Sequence, residues 1–251
     1  MIQATPSADG TPTGGAPTVA LVHGAFADSS SWLGVITELQ AAGLAVQAIS
    51  NPLRGVSADA AYVASAVGQI SGPVLLVGHS YGGAVISVAA AQATNVVGLV
   101  YVAAYVPDEG ETILGLGGQF PPTALAAAIR PAAYPTADPA TPGTEFTLDP
   151  ALSPAAFAAD LPEEQARAMA VAQRPAADVG FGEPAGPIAW KTLPSWYAVA
   201  TADQALGVEL ERFLADRAGS ITVEIEASHA VAVSQPAAVA DLIVTAAGSV
   251  A

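Results

Sequence analysis

The sequence predicts an α/β protein in which a mostly parallel sheet is covered by helices on both faces. Three observations lead there. Short apolar runs alternate along the chain with helix-like segments, the rhythm of strands joined by crossover helices. An apolar fraction of 52% is enough to bury a substantial core. The length of 251 residues suits one sizeable domain, or one domain carrying an insertion.

The elements follow in order. "TVALV" (Thr18–Val22) reads as the first strand, and a helix over Ser31–Ala42 stops at Gly43. "AVQAIS" (Ala45–Ser50) is the next strand, followed by a helix near Ala58–Ile70 with Ser57 as its expected N-cap. "PVLLVG" and "VVGLVYVA" are strands flanking an Ala-rich helix, Gly82–Ala93. Further on come "SWYAVA", a helix over Gln204–Arg217, "ITVEIE" and a last helix after Pro236. Between Pro107 and Lys191 the rhythm breaks into Pro-, Ala- and Gly-rich sequence ("GLGGQFPP", "YPTADPATPGTEF"), then the helical patch "LPEEQARAMAVAQ". A structureless loop of that length is improbable, so residues 107–190 are expected to form an inserted helical cap on a core of residues 18–106 and 191–251.

Composition narrows the function classes. Seven basic against 22 acidic residues give a formal charge of −15, a surface that repels phosphate backbones and anionic membranes. Nucleic-acid and membrane partners are therefore not expected, and small neutral or cationic molecules are favoured. With no cysteine, disulfides, thiolate metal sites and a cysteine nucleophile are excluded. The opening "MIQATPSADGTPTGGAP" has neither a basic n-region nor an apolar h-region. Residues 1–17 are expected to be a flexible lead-in to a cytoplasmic protein.

The chemistry centres on "VGHSYGGA", Val77–Ala84. Gly78-His79-Ser80-Tyr81-Gly82 fits G-x-S-x-G between an apolar strand and a glycine-led helix, the setting of a nucleophile elbow. There the serine sits in strained backbone, small neighbours permit close approach, and the helix N-terminus faces the site. A serine hydroxyl needs an adjacent base. Of the three histidines, His79 lies within the elbow, turned away by the bend, and His23 ends the first strand. His229, in "EASHAVAVSQP" after the last strand, is carried to the carboxyl edge of the sheet and is assigned as base. Asp203 follows "SWYAVA" directly and is the acid that would orient it. Glu209, Glu211 and Asp216 fall on the next helix and are read as solvated, while Asp178 would come from the cap. "LVHGAF" supplies a turn whose Ala25 N–H, with Phe26 as the near alternative, is one oxyanion donor; the Tyr81 N–H is the other.

These segments carry a family resemblance. "LVHGAFADSSSW", "VLLVGHSYGGAVI", "VYVAAYVPDEGE", "WKTLPSWYAVATADQAL" and "ASHAVAVSQPAAVADLI" resemble serine hydrolases of the α/β-hydrolase superfamily, in the branch holding small bacterial esterases, plant methyl-ester esterases and hydroxynitrile lyases. The chain order Ser, Asp, His is that of the superfamily. The resemblance implies an α/β-hydrolase fold with an eight-stranded, mostly parallel sheet and one antiparallel edge strand. Since six strands are visible, a missing edge strand is expected near the N-terminus. In the lyases "HT" replaces "HG" and a lysine follows the histidine; Gly24 and Ala230 stand there in this chain. The expected activity is therefore a carboxylesterase acting through an acyl-enzyme on small to medium neutral esters, without metal or organic cofactor. A non-hydrolytic lyase or oxygenase and a ligand receptor are the alternatives. Phe26, Phe181 and Trp190 are the expected substrate-pocket residues, in a wider set of aromatics that includes Trp32, Tyr105, Phe120 and Trp196. The cap is the surface on which a homodimer would form.

Overall fold

In a computed structural model, residues 15–138 and 140–251 are described. The expected lead-in falls largely on residues 1–14, outside the described residues. The first half of the core comprises β1 (Thr18–Val22), α1 (Leu33–Ala41), β2 (Val46–Ile49), α2 (Val56–Val67), β3 (Val74–His79), α3 (Tyr81–Ala89) and β4 (Val96–Val102). The intervening segment holds α4 (Ile113–Gly117), α5 (Ala124–Ala128), β5 (Ile129–Tyr134), β6 (Gly143–Leu148), α6 (Ser153–Phe157), α7 (Glu163–Ala172), β7 (Ala176–Ala177) and α8 (Val179–Gly182). The chain returns through β8 (Ser195–Ala200), α9 (Val208–Arg217), β9 (Ile221–Ile225), α10 (Val231–Ser234) and α11 (Pro236–Ser249).

The main sheet has the order β2-β1-β3-β4-β8-β9, and every neighbouring pair is parallel. Side chains alternate between its faces, and both faces are covered. Ala20, Val22, Leu76, Leu99, Tyr101 and Tyr197 pack with α2, α3 and α9 on one side. Val19, Leu21, Val77, Val100, Trp196 and Ala198 pack with α1 and α11 on the other. This double burial is why the strands read as apolar runs. All four loops of chemical interest leave the carboxyl ends of β1, β3, β8 and β9, the edge where open parallel sheets place their sites.

Three expectations need correction. Among the described residues the main sheet has six strands, all parallel, rather than eight with an antiparallel edge. The segment expected to be a helical cap also contains an antiparallel sheet, β5-β6-β7, with β5 and β6 paired from Ile129↔Leu148 to Tyr134↔Gly143. The Ala and Pro content of "IRPAAY" and the Gly-Thr start of β6 hid its strand pattern. Finally, α2 begins one residue before Ser57, with Gly55 (φ 140°) at the cap position. The acceptor at that end comes from outside the helix, because Glu183 takes the Ser57 N–H at 2.8 Å and so ties α2 to the segment above it. Among the described residues no helix is long and apolar enough to cross a membrane.

The turn between β3 and α3 is tightly packed against the end of β1. A Cβ on Gly82 would stand 2.6 Å from the Val22 carbonyl oxygen and 2.9 Å from that of His23, both backbone atoms with little room to yield. Gly82→Ala is expected to destabilise the fold by about 1–3 kcal/mol, seen as a lower urea midpoint at unchanged slope.

Candidate active site

Ser80 follows β3 with φ 54° and ψ −124°, a conformation L-residues rarely hold, and it is buried. The reversal aims its hydroxyl at the loop after β9, where His229 Nε2 lies 2.9 Å from Ser80 Oγ. His229 Nδ1–H donates to Asp203 Oδ2 at 2.6 Å. Oδ1 of Asp203 accepts the Ala205 and Leu206 N–H groups at 2.5 and 2.9 Å. The two loops are laced together, since Thr201 N–H and Ala202 N–H donate to the carbonyls of Ile225 and Ala227. Ser80, Asp203 and His229, far apart in sequence, thus form one hydrogen-bonded chain.

The electrostatics suit a relay with one negative charge. Burial pushes the Asp203 carboxyl up, but the His229 imidazole and the hydrogen bonds it receives outweigh that and hold it at about 2. The Asp is therefore ionised beside a ring that can accept a proton from Ser80. The other two histidines are tied down elsewhere. His79 Nε2–H donates to the His229 carbonyl at 2.9 Å. His23 Nδ1–H donates to the Gly24 carbonyl while its Nε2 accepts the Asn51 N–H, both at 2.9 Å.

The turn after β1 closes the other side. A Cβ on Gly24 would come within 2.7 Å of Ser80 Cβ, so only glycine lets this loop lie against the elbow. Phe26 follows with φ 62°. Among the described residues no acceptor takes the N–H groups of Ala25, Phe26 or Tyr81, leaving them free for a ligand oxygen. The Tyr81 side chain turns away, its hydroxyl donating to buried Asp59 at 2.8 Å.

A cavity of about 210 Å³ is lined by Phe26, Leu33, Leu148, Phe157, Met169 and Val233 among others, and none of Ser80, Asp203 and His229 lines it. Phe157 joins cavity to triad: its ring meets His229 edge-on, with centroids 4.7 Å apart. Of the expected pocket residues, Phe26 lines this space, and Phe181 stands one layer behind, stacked on it at 6.3 Å. Trp190 does not line it. Its indole N–H donates to the Pro107 carbonyl at 2.8 Å and Arg217 lies over its ring, so it props the base of the inserted segment. Trp196 is core, packed under the sheet. Phe157 and Met169 escaped sequence analysis because they sit singly in Ala-rich stretches without a clear helical stripe. Glu211, read as solvated, is fully buried, whereas Glu209 and Asp216 are exposed as expected.

His79 makes the fold acid-sensitive. Burial above all, with the adjacent His229 ring adding to it, drives its imidazole from 6.5 down to about 3. Between those values the unfolded chain binds a proton at this position that the folded chain does not. Stability therefore rises with pH across this window and is lost as pH falls from 6.5 toward 3. The loss over the full window is on the order of 5 kcal/mol. Urea midpoints measured from pH 7 to pH 4 should fall more steeply for the wild type than for His79→Gln, which cannot take up the proton.

Residues 19–242 match the alpha/beta hydrolase family. No curated protein matches the chain. Among solved structures, polyneuridine aldehyde esterase aligns with a TM-score of 0.78 at 20% identity, covering 92% of this chain and 99% of that one. A pyrethroid hydrolase from Sphingobium faniae aligns at 0.75 and 23% identity, covering 93% and 98%. A methylesterase from Arabidopsis aligns at 0.75 and 18% identity, covering 93% and 99%. At such identities the likeness is one of fold, and the match over residues 19–242 goes further: the chain belongs to the alpha/beta hydrolase family.

Proposed function

We propose that the protein is a serine carboxylesterase that cleaves small to medium neutral esters through an acyl-enzyme. The observation that carries this reading is the continuous path from Asp203 Oδ2 through His229 to Ser80 Oγ, with contacts of 2.6 and 2.9 Å. His229 takes the Ser80 proton as the oxygen attacks the ester carbonyl. Asp203 holds the imidazole in the tautomer this needs and stabilises the imidazolium. The negative oxygen of the tetrahedral intermediate is received by the free Ala25 and Tyr81 N–H groups, the second at the N-terminus of α3. His229 then protonates the leaving alcohol, and in the second half it activates water against the acyl-enzyme. Every step uses groups of the chain itself. The esterases that share its fold support the same class of reaction.

The apolar cavity beside Phe157 supports an ester with one compact hydrophobic arm, and the surface charge of −15 favours a neutral molecule over an anion. The absence of a lysine after His229, where Ala230 stands, weighs against a lyase.

Fluorophosphonate labelling with a series of p-nitrophenyl esters tests the reading. Labelling should disappear in Ser80→Ala, with kcat/KM down by about 10⁴ or more, and Asp203→Asn should lose roughly 10³–10⁴. A labelled wild type that turns over no ester, or a His229→Ala variant with near wild-type hydrolysis, would count against it. Met169→Trp should fill the cavity and lower kcat/KM about tenfold or more for long acyl chains while sparing acetate. Equal effects on all chain lengths would remove the cavity from substrate recognition.

A further inference from the structure

Behind Asp203 lies a second buried carboxyl that the relay as drawn does not use. Glu211 projects from α9 toward the carboxyl end of β8 and is fully buried. Its Oε2 accepts the Ala200 N–H at 3.0 Å, three residues before Asp203. Its Oε1 is also buried, and no donor from the described residues reaches it. The Asp203 carboxyl lies close enough to Glu211 for each to act on the other's charge.

Two carboxylates cannot both stay charged at such a contact without a cation, and none is at hand for Glu211. The ionisable groups facing it besides Asp203 are Tyr105 and Tyr197, whose hydroxyls burial keeps neutral. Arg212 is exposed on the far side of α9 and is committed to Glu224 at 2.7 and 2.9 Å. Asp203 has the stronger claim to the charge. It already accepts two backbone N–H groups and the imidazole N–H, whereas Glu211 accepts one. A hydrogen on Oε1 resolves both anomalies: the oxygen that no donor reaches becomes a donor, and the second charge is removed.

We propose that Glu211 keeps its proton at neutral pH and donates it in a hydrogen bond to Asp203, acting as a positioning residue that orients that carboxylate and draws off part of its negative charge. The role rests on the serine-esterase reading above. Burial and the nearby Asp203 charge both push the Glu211 carboxyl well above the usual range, in the same direction. The functional consequence concerns the histidine. A carboxylate that shares its charge with Glu211 holds the imidazolium formed during turnover less tightly than a fully charged one would.

Two measurements test this. In protein labelled with ¹³C-glutamate, one side-chain carboxyl resonance should stay at the position of the protonated acid at pH 7 and be missing from Glu211→Gln. If all glutamate carboxyls are ionised there, the proposal is wrong. The pH profile of kcat/KM on a p-nitrophenyl ester tests the positioning role. Glu211→Leu, lacking the donor, should lower kcat about tenfold at unchanged KM and move the acid limb up by about half to one pH unit. Glu211→Gln can still donate an N–H to Asp203 and accept the Ala200 N–H, and it should recover most of kcat with the wild-type limb. Equal losses in both variants with an unshifted limb would reduce Glu211 to a packing residue. If Leu does not fold, the wild-type spectrum and the Gln profile still decide the matter. A lack of any Ser80-dependent turnover would remove the esterase reading, and the positioning role with it. The protonated carboxyl would then stand or fall on the spectrum, which needs no substrate.

Discussion

Methyl groups added at Gly24, Gly78 or Gly82 would lie 2.6–2.7 Å from Ser80 Cβ, the Gly82 carbonyl oxygen and the Val22 carbonyl oxygen respectively. Backbone therefore touches backbone where the ends of β1 and β3 meet the start of α3, and that crowding governs the rest of the site. It forces Ser80 into left-handed geometry, which lifts the hydroxyl out of the sheet, and it brings the Ala25 amide to the same spot. Such strain persists only when the surroundings over-determine it. Here they do, because all of β3 is buried between two parallel neighbours.

Around that point ionisable groups are plentiful, but charge is rationed. His79 is kept neutral by burial, and the Tyr81 hydroxyl is occupied with Asp59. Asp203 is the exception, an ion held by backbone amides and one imidazole. A buried carboxylate is tolerated only with hydrogen bonds to its lone pairs, and the loop from Ala202 to Leu206 is shaped to give them. The setting of this carboxylate is thus built chiefly from backbone, which is why a short segment after a strand suffices to make it.

The inner core strands β1, β3, β4 and β8 could be found in the sequence because each is covered on both faces and so spells a nearly unbroken apolar run, while the edge strands β2 and β9 are more open to solvent and carry polar residues. The loops carrying Ser80, Asp203 and His229 followed from strand order, since parallel strands joined by helices bring their carboxyl ends to one edge. Residues 107–190 resisted for the opposite reason. β5 is mostly exposed and β6 half-buried, and half of their residues are Ala, Pro, Thr or Gly, so hydrophobicity does not mark them. A large aromatic near a strand, such as Trp190, does not announce from sequence whether it faces a cavity or a neighbouring arginine. Glu211 was misread because one charged residue among several on an acidic helix looks like its neighbours, and only the packing of α9 on β8 turns it inward.

One attachment has a bearing on how the molecule ages under heat. The Phe157 carbonyl receives the Ala230 N–H at 2.9 Å and also the Ser228 hydroxyl, which bonds Asp160 as well. The roof over the cavity is thereby fastened to the two residues on either side of His229. A disturbance that lifts α6 drags the imidazole out of line with Ser80 while the main sheet is still intact. Warming should therefore silence the enzyme before it melts it, and cooling should restore what was lost.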